Sequence, residues 1–167
     1  MSLADALLSD LRAEAALTRK VLEAVPENRF AWQPHARSMT LGQLASHIAE
    51  TPTWTPAMLE SHMDFAAMGD YRPFAAASKK DLLAAHDRNV AAACDAIAGR
   101  DDAFMKQDWT ATKGDKVLMR LPRHAVLRQT ILHHWIQHRG QLQVYLRLCD
   151  TPVPQTYGPT ADFPEFG

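Results

Sequence analysis

Cysteine is scarce in this chain: there are two, Cys94 and Cys149, far apart and in no C-x-x-C pair. That excludes a disulfide framework and a thiolate metal site, fits a reducing cytoplasm, and leaves both as small buried hydrophobes. An excess of one charge is missing as well. Eighteen basic residues against nineteen acidic ones leave a formal charge of -1, so no bulk field favours nucleic acid or an anionic membrane surface as a partner. Long apolar runs are also absent. No window approaches the roughly 18 to 20 uninterrupted apolar residues of a membrane span. The opening "MSLADALLSDLRAE" carries acidic residues in its first turns, unlike the basic-then-apolar pattern of a secretory signal. The expectation is a soluble, cytoplasmic protein without internal repeats or low-complexity segments.

What is present is helical periodicity, in a chain of 167 residues that is 47% hydrophobic, enough for one domain over 1–167 with a substantial core. Leu3, Leu7, Leu11, Ala15, Thr18, Leu22 and Val25 recur at steps of three and four until Pro26, predicting a first helix. "ENRFAWQPHARSM" reads as a loop. Thr40 and Gln43 then match a capping box and start a second stripe through Leu41, Leu44, Ile48, Thr51, Met58 and Leu59, with a kink or break predicted near Glu50 to Thr55 because Pro52 and Pro56 remove backbone donors. Ser78 and Asp81 form another such box before Leu82, His86, Val90, Ala93 and Ile97, and Gly99 stops that helix. Between Asp101 and Arg123 the period is lost, and "WTATKGDKVLMRL" reads as a hairpin around Lys-Gly-Asp or as an irregular loop. A fourth helix runs from about Pro122 or His124 to Leu148, and "TPVPQTYGPTADFPEFG" reads as an extended strap over it. The predicted fold class is all-α: a four-helix bundle with a short irregular or hairpin insertion before the last helix and an extended C-terminal tail.

Eight histidines are the compositional oddity. Three fall in "LHHWIQHRGQL", residues 132–142, and since residues four apart on a helix differ by only about 40° in direction, His134 and His138 share a face and can clamp one metal. Leu127, Ile131, Gln141 or Leu142, and Tyr145 run along the same side, which aims the pair at the bundle interior. His133 points about 100° away, toward the surface or a packing contact. The plain alternative is a pair hydrogen-bonded within the core. A third ligand changes that balance: His47, between Leu44 and Thr51 on the inward side of the second helix, can meet the pair from across the bundle. Three neutral imidazoles with one position left to water is a pattern of catalytic metal sites. His86 is read as a core histidine rather than a partner of the site, and His35, His62 and His124 as solvent-facing. Glu50 is read as a solvent-facing helix residue, Arg139 as a surface or interface ion pair rather than a contact to an anionic substrate, and Gly140 either as a close-approach point inside the bundle or as part of a dimer face.

Taken with "LGQLASHIAE", "HHWIQHRGQLQVYLRL" and "TPVPQTYGPTAD", these residues make nearly the whole chain resemble the DinB/YfiT-like family of damage-inducible bacterial proteins. The resemblance implies a four-helix bundle with a divalent metal, such as zinc, nickel or iron, on His47, His134 and His138. It further implies a small-molecule substrate, a homodimer, and an enzyme similar to transferases that use a low-molecular-weight thiol such as bacillithiol or mycothiol in detoxification or stress response. A metal with three neutral ligands keeps more positive charge than one with carboxylates, which favours deprotonating a bound thiol or water. Two alternatives stand beside that expectation: a non-enzymatic, stress-associated metal-binding protein, and a metal-dependent small-molecule hydrolase, for which no Glu stands beside the pair as in H-E-x-x-H.

Overall fold

The first apolar stripe is held as a helix by its cap. In the computed structural model, which describes residues 1–165, α1 runs Leu3–Glu23. Ser2 accepts from the Asp5 N–H and Asp5 accepts from the Ser2 N–H, a reciprocal box beyond those read in the sequence. The predicted box at Thr40 and Gln43 is present in both directions and opens α2, Leu41–Glu50. At the two prolines the helix hands over to a 3-10 turn, Thr51–Trp54, and then to α3, Thr55–Leu59. Each proline sits in the first turn of its segment, where the missing N–H has no intrahelical partner to lose.

The third stripe forms α4, Lys79–Ile97, of which half the predicted cap is present. Ser78 accepts from the Asp81 N–H, but the Asp81 carboxylate accepts from Ala77 instead of Ser78. Gly99, at a φ of +73°, lets the chain leave that helix in a conformation side chains other than glycine disfavour.

The all-α expectation fails at a sheet, most of which lies in a stretch that also holds one helix the sequence did not signal. A short helix, α5, covers Asp102–Lys106, and a mixed three-stranded sheet is built from β1 (His62–Asp64), β2 (Asp108–Lys113) and β3 (Lys116–Pro122) in that spatial order. The β2–β3 pair is the hairpin left open by the sequence, turning at Gly114 with a φ of +58°. Its period-two signal is real: Trp109 and Ala111 are buried while Thr110 and Thr112 are only partly covered. β1 pairs parallel to β2, and its three residues are too few to show alternation in the sequence.

The fourth helix comes in three parts: α6 (Arg123–Leu127), a π-helical turn (Arg128–His133) and α7 (His134–Leu148). Arg123 donates to the Leu59 and Glu60 carbonyls, which ties the end of α3 to the start of α6. α1 packs beside α4 and α7, and α2 beside the same two, so α1 and α2 stand on a diagonal of the bundle. Leu11, Leu22, Ile48, Leu82, Trp135 and Leu142 fill its centre. The tail lies along α7 as the expected strap, with Asp162 accepting from the Val153 N–H and pairing with Arg147. Its last two residues lie outside the described residues. Among the described residues, no helix is long and apolar enough to cross a membrane.

Candidate metal centre

α2 and α7 adjoin, and that contact brings together histidines 87 residues apart. One ligand atom from each of His47, His134 and His138 lies within 4.8 Å of the other two, and the Nε2 atoms of His47 and His134 are 3.1 Å apart. Two nitrogens bound tetrahedrally to one ion at about 2.0–2.1 Å would stand about 3.3 Å apart, so this donor set fits a metal. The three rings crowd each other, with centroids 4.5 to 5.1 Å apart.

The state of the rings also suits a cation. Burial, and then the neighbouring His138 and His134, push the His47 pKa down to about 4. Burial, followed by His138, holds His134 below the usual histidine value, although a hydrogen bond to the Thr130 backbone opposes the shift. Near neutral pH both rings therefore keep a lone pair to donate. His138 Nδ1 is 2.7 Å from Gln141 Oε1; the amide oxygen accepts, which places the ring proton on Nδ1 and leaves Nε2 free as a ligand atom.

The face on which the pair sits differs from the sequence reading. Leu127, Ile131, Trp135 and Arg139 are buried in succession, at steps of four that would drift about 120° on a regular α-helix. The wider π-turn between Arg128 and His133 absorbs that drift, so that the buried stripe continues through Trp135, Arg139, Leu142 and Leu146. His134 and His138 flank this stripe, half-buried, at the edge of the core instead of its centre.

There they meet an open cavity of about 780 Å³ between α3, the sheet and the segment after β1, with His134 in its wall. Trp54 stands against the cluster, its ring centroid 5.3 Å from His134 and 5.5 Å from His47. Neither the cavity nor the wall role of Trp54 was legible in the sequence. Gln141 stood three residues beyond His138, a spacing that could have marked it as the ring's partner.

The remaining candidates divide. His133, His35 and His62 are exposed, and Cys94 and Cys149 are buried, as expected. His86 is a core residue, stacked on Trp135 at 5.6 Å with Nδ1 3.0 Å from Asp87. His124 is half-buried rather than solvent-facing and donates to the Met105 carbonyl at 3.0 Å. Glu50, expected in solvent, is buried, and its Oε1 accepts from the Phe74 N–H. Arg139, expected at the surface, is 1% exposed and pairs with Glu14 at 2.7 Å. Gly140 is exposed and nothing lies within 4 Å of where its Cβ would be, so it permits no close approach inside the chain's own bundle.

The DinB family model matches residues 1–165. No curated protein matches the chain in sequence. A solved DinB-like protein from Bacillus cereus ATCC 10987 is similar with a TM-score of 0.67 at 19% identity, over 92% of this chain and 97% of its own. A second, from Bacillus subtilis, gives a TM-score of 0.68 at 17% identity, over 90% of this chain and 96% of its own. At these identities the likeness is one of fold.

Proposed function

This chain belongs to the DinB family, and from that premise we propose that His47, His134 and His138 hold one divalent ion, zinc, nickel or iron, in an enzyme that transfers a small thiol to an electrophile. The role fits detoxification or stress response. The observation that carries the reading is three convergent imidazoles, with His47 and His134 kept neutral chiefly by burial and His134 in the wall of an open cavity. With three neutral ligands the ion would lower the pKa of a thiol such as bacillithiol or mycothiol, supplying the reactive thiolate at neutral pH.

The chain's own residues would do the rest. α2 and α7 fix the ligand spacing, Gln141 holds the His138 tautomer, and Trp54 screens the cluster on the cavity side. The cavity would hold the electrophile beside His134. In the transfer, the thiol proton passes to solvent, sulfur bonds to the electrophilic carbon, and the leaving group departs with its electron pair. Hydrolysis is less well supported, because it needs a base at the cluster. Glu50, three residues from His47, is instead held by the Phe74 N–H and is not part of the triad. A purely structural metal site would have no use for an open cavity of this size at the ligands.

The test is metal content by mass spectrometry on tag-free protein and on His47→Ala, followed by thiol consumption with bacillithiol or mycothiol and an electrophile such as monochlorobimane. About one metal per chain, lost in the variant together with turnover, is the expected result. Protein that stays empty after incubation with zinc, nickel and iron would sink the proposal; a metal without turnover would reduce it to metal binding.

A further inference from the structure

More than half of the residues lining the cavity beside His134 are methionine or aromatic. Met58, Met63, Met68 and Met119 line it together with Trp54 and Trp109. Its volume, about 780 Å³, lies in the range of small-molecule sites. Among the described residues that line it, none is Asp, Glu, Lys or Arg.

Two of its polar groups are committed to backbone carbonyls. Trp109 Nε1 donates to the Ala57 carbonyl at 2.9 Å, and the Thr130 hydroxyl donates to the Val126 carbonyl at 2.7 Å. The other polar side chains in the wall are Thr53, Trp54, Tyr71 and His134; with no carboxylate, ammonium or guanidinium group there to pair it, a ligand charge buried in the cavity would go uncompensated. At the rim, Phe65, Met68 and Leu118 remain 45%, 39% and 48% exposed, so apolar surface faces solvent at the mouth of the cavity. Four flexible methionines can repack around ligands of different outline.

From this we infer that the cavity binds a neutral, apolar small molecule, with its one polar or reactive end against His134. The inference deepens the transferase reading and rests on it for the reaction: the bound molecule is the electrophile, and a hydrophilic thiol reaches the histidines from their solvent side. Binding itself depends only on the cavity.

The probe is N-phenyl-1-naphthylamine, a neutral dye that fluoresces in apolar surroundings. It is titrated into the full chain, both zinc-loaded and chelator-treated, with zinc content measured on the same samples. One saturable site per chain is expected in both states. A Met68→Glu, Leu118→Glu double variant, at two exposed rim positions, should keep its circular dichroism and bind at least tenfold more weakly. On the chelator-treated wild type, decanol should displace the dye at least tenfold better than decanoate, which carries a charge on the same chain.

No saturable binding, unchanged binding in the double variant, or decanoate equal to decanol would each overturn the inference. So would dye sites lost as a dimer forms, which would assign the cleft to a second copy of the chain. Dye binding without zinc uptake would sustain the apolar site and sink the metal reading; zinc uptake without dye binding would do the reverse.

Discussion

Each of the inward histidines is defined by what its second nitrogen meets. For His138 that partner is Gln141, and a ligand ring freed from such a bond loses both its orientation and its tautomer. Gln141→Leu, at an exposed position, should leave stability nearly unchanged and weaken zinc about 10- to 100-fold in a chelator competition; equal affinity would show that the amide does not set the ring. His133→Ala, one residue from His134 but exposed, should leave zinc content intact. For His86 the second nitrogen, Nε2, is buried without a partner among the described residues. Burial lowers its pKa, the hydrogen bond and charge of Asp87 pull it back up, and Arg19 adds to the lowering. The folded value therefore lies below the unfolded value of about 6.5. Above that pH both states are neutral; below it the unfolded chain takes up the proton first, so stability is lost as pH falls. His86→Leu loses the Trp135 stacking and the Asp87 bond, about 1–2 kcal/mol at pH 8. That deficit should shrink toward pH 5 in urea titrations of the two proteins; a constant deficit would mean that His86 titrates as it does in the unfolded chain.

Helix starts and stripes were readable because a cap or an apolar period is a local matter, settled within a few residues. Thr40 and Ser78, both read as caps, each accept from the backbone three residues on. The π-turn was not readable, since steps of four from Leu127 to Arg139 look like an ordinary helix until the partners are known. Arg139 misled for the same reason. Its partner, Glu14, lies 125 residues away on α1, and Tyr157 of the strap completes the clamp by donating to Glu14 and stacking beside the guanidinium. The guanidinium is also bonded to Thr18 and to the Tyr157 hydroxyl. Arg139→Met should cost about 3–5 kcal/mol, because it leaves the largely buried Glu14 carboxylate uncompensated. The double variant with Glu14→Gln should recover a good part of that loss, and Tyr157→Phe alone should cost about 1–2 kcal/mol. Denaturant midpoints on the three variants decide it; no recovery in the double variant would mean that the arginine acts by packing alone.

At the scale of the molecule, what stayed hidden was pairing between distant segments. The three residues of β1 carry no pattern of their own and become a strand only because β2 passes beside them. The triad was more legible: His134 and His138 are four apart on one helix, His47 had an inward position, and the quoted motifs carried the family resemblance. Its place at the core's edge, beside a cavity lined partly by the unforeseen sheet, was not. That placement has a thermodynamic consequence. An ion held by His47 on α2 and by the pair on α7 joins two elements that the unfolded chain separates by 87 residues, so it binds the folded state and stabilises it by mass action. At free zinc 100-fold above its Kd the gain is about 2.7 kcal/mol, which for a chain of this size raises Tm by about 5–10 °C. His47→Ala leaves two ligands on one helix and removes the cross-link, so its Tm should move little at the same zinc concentration. Differential scanning fluorimetry with and without zinc on both proteins measures the difference directly. An equal rise in the variant would place the stabilising ion somewhere other than the junction of α2 and α7.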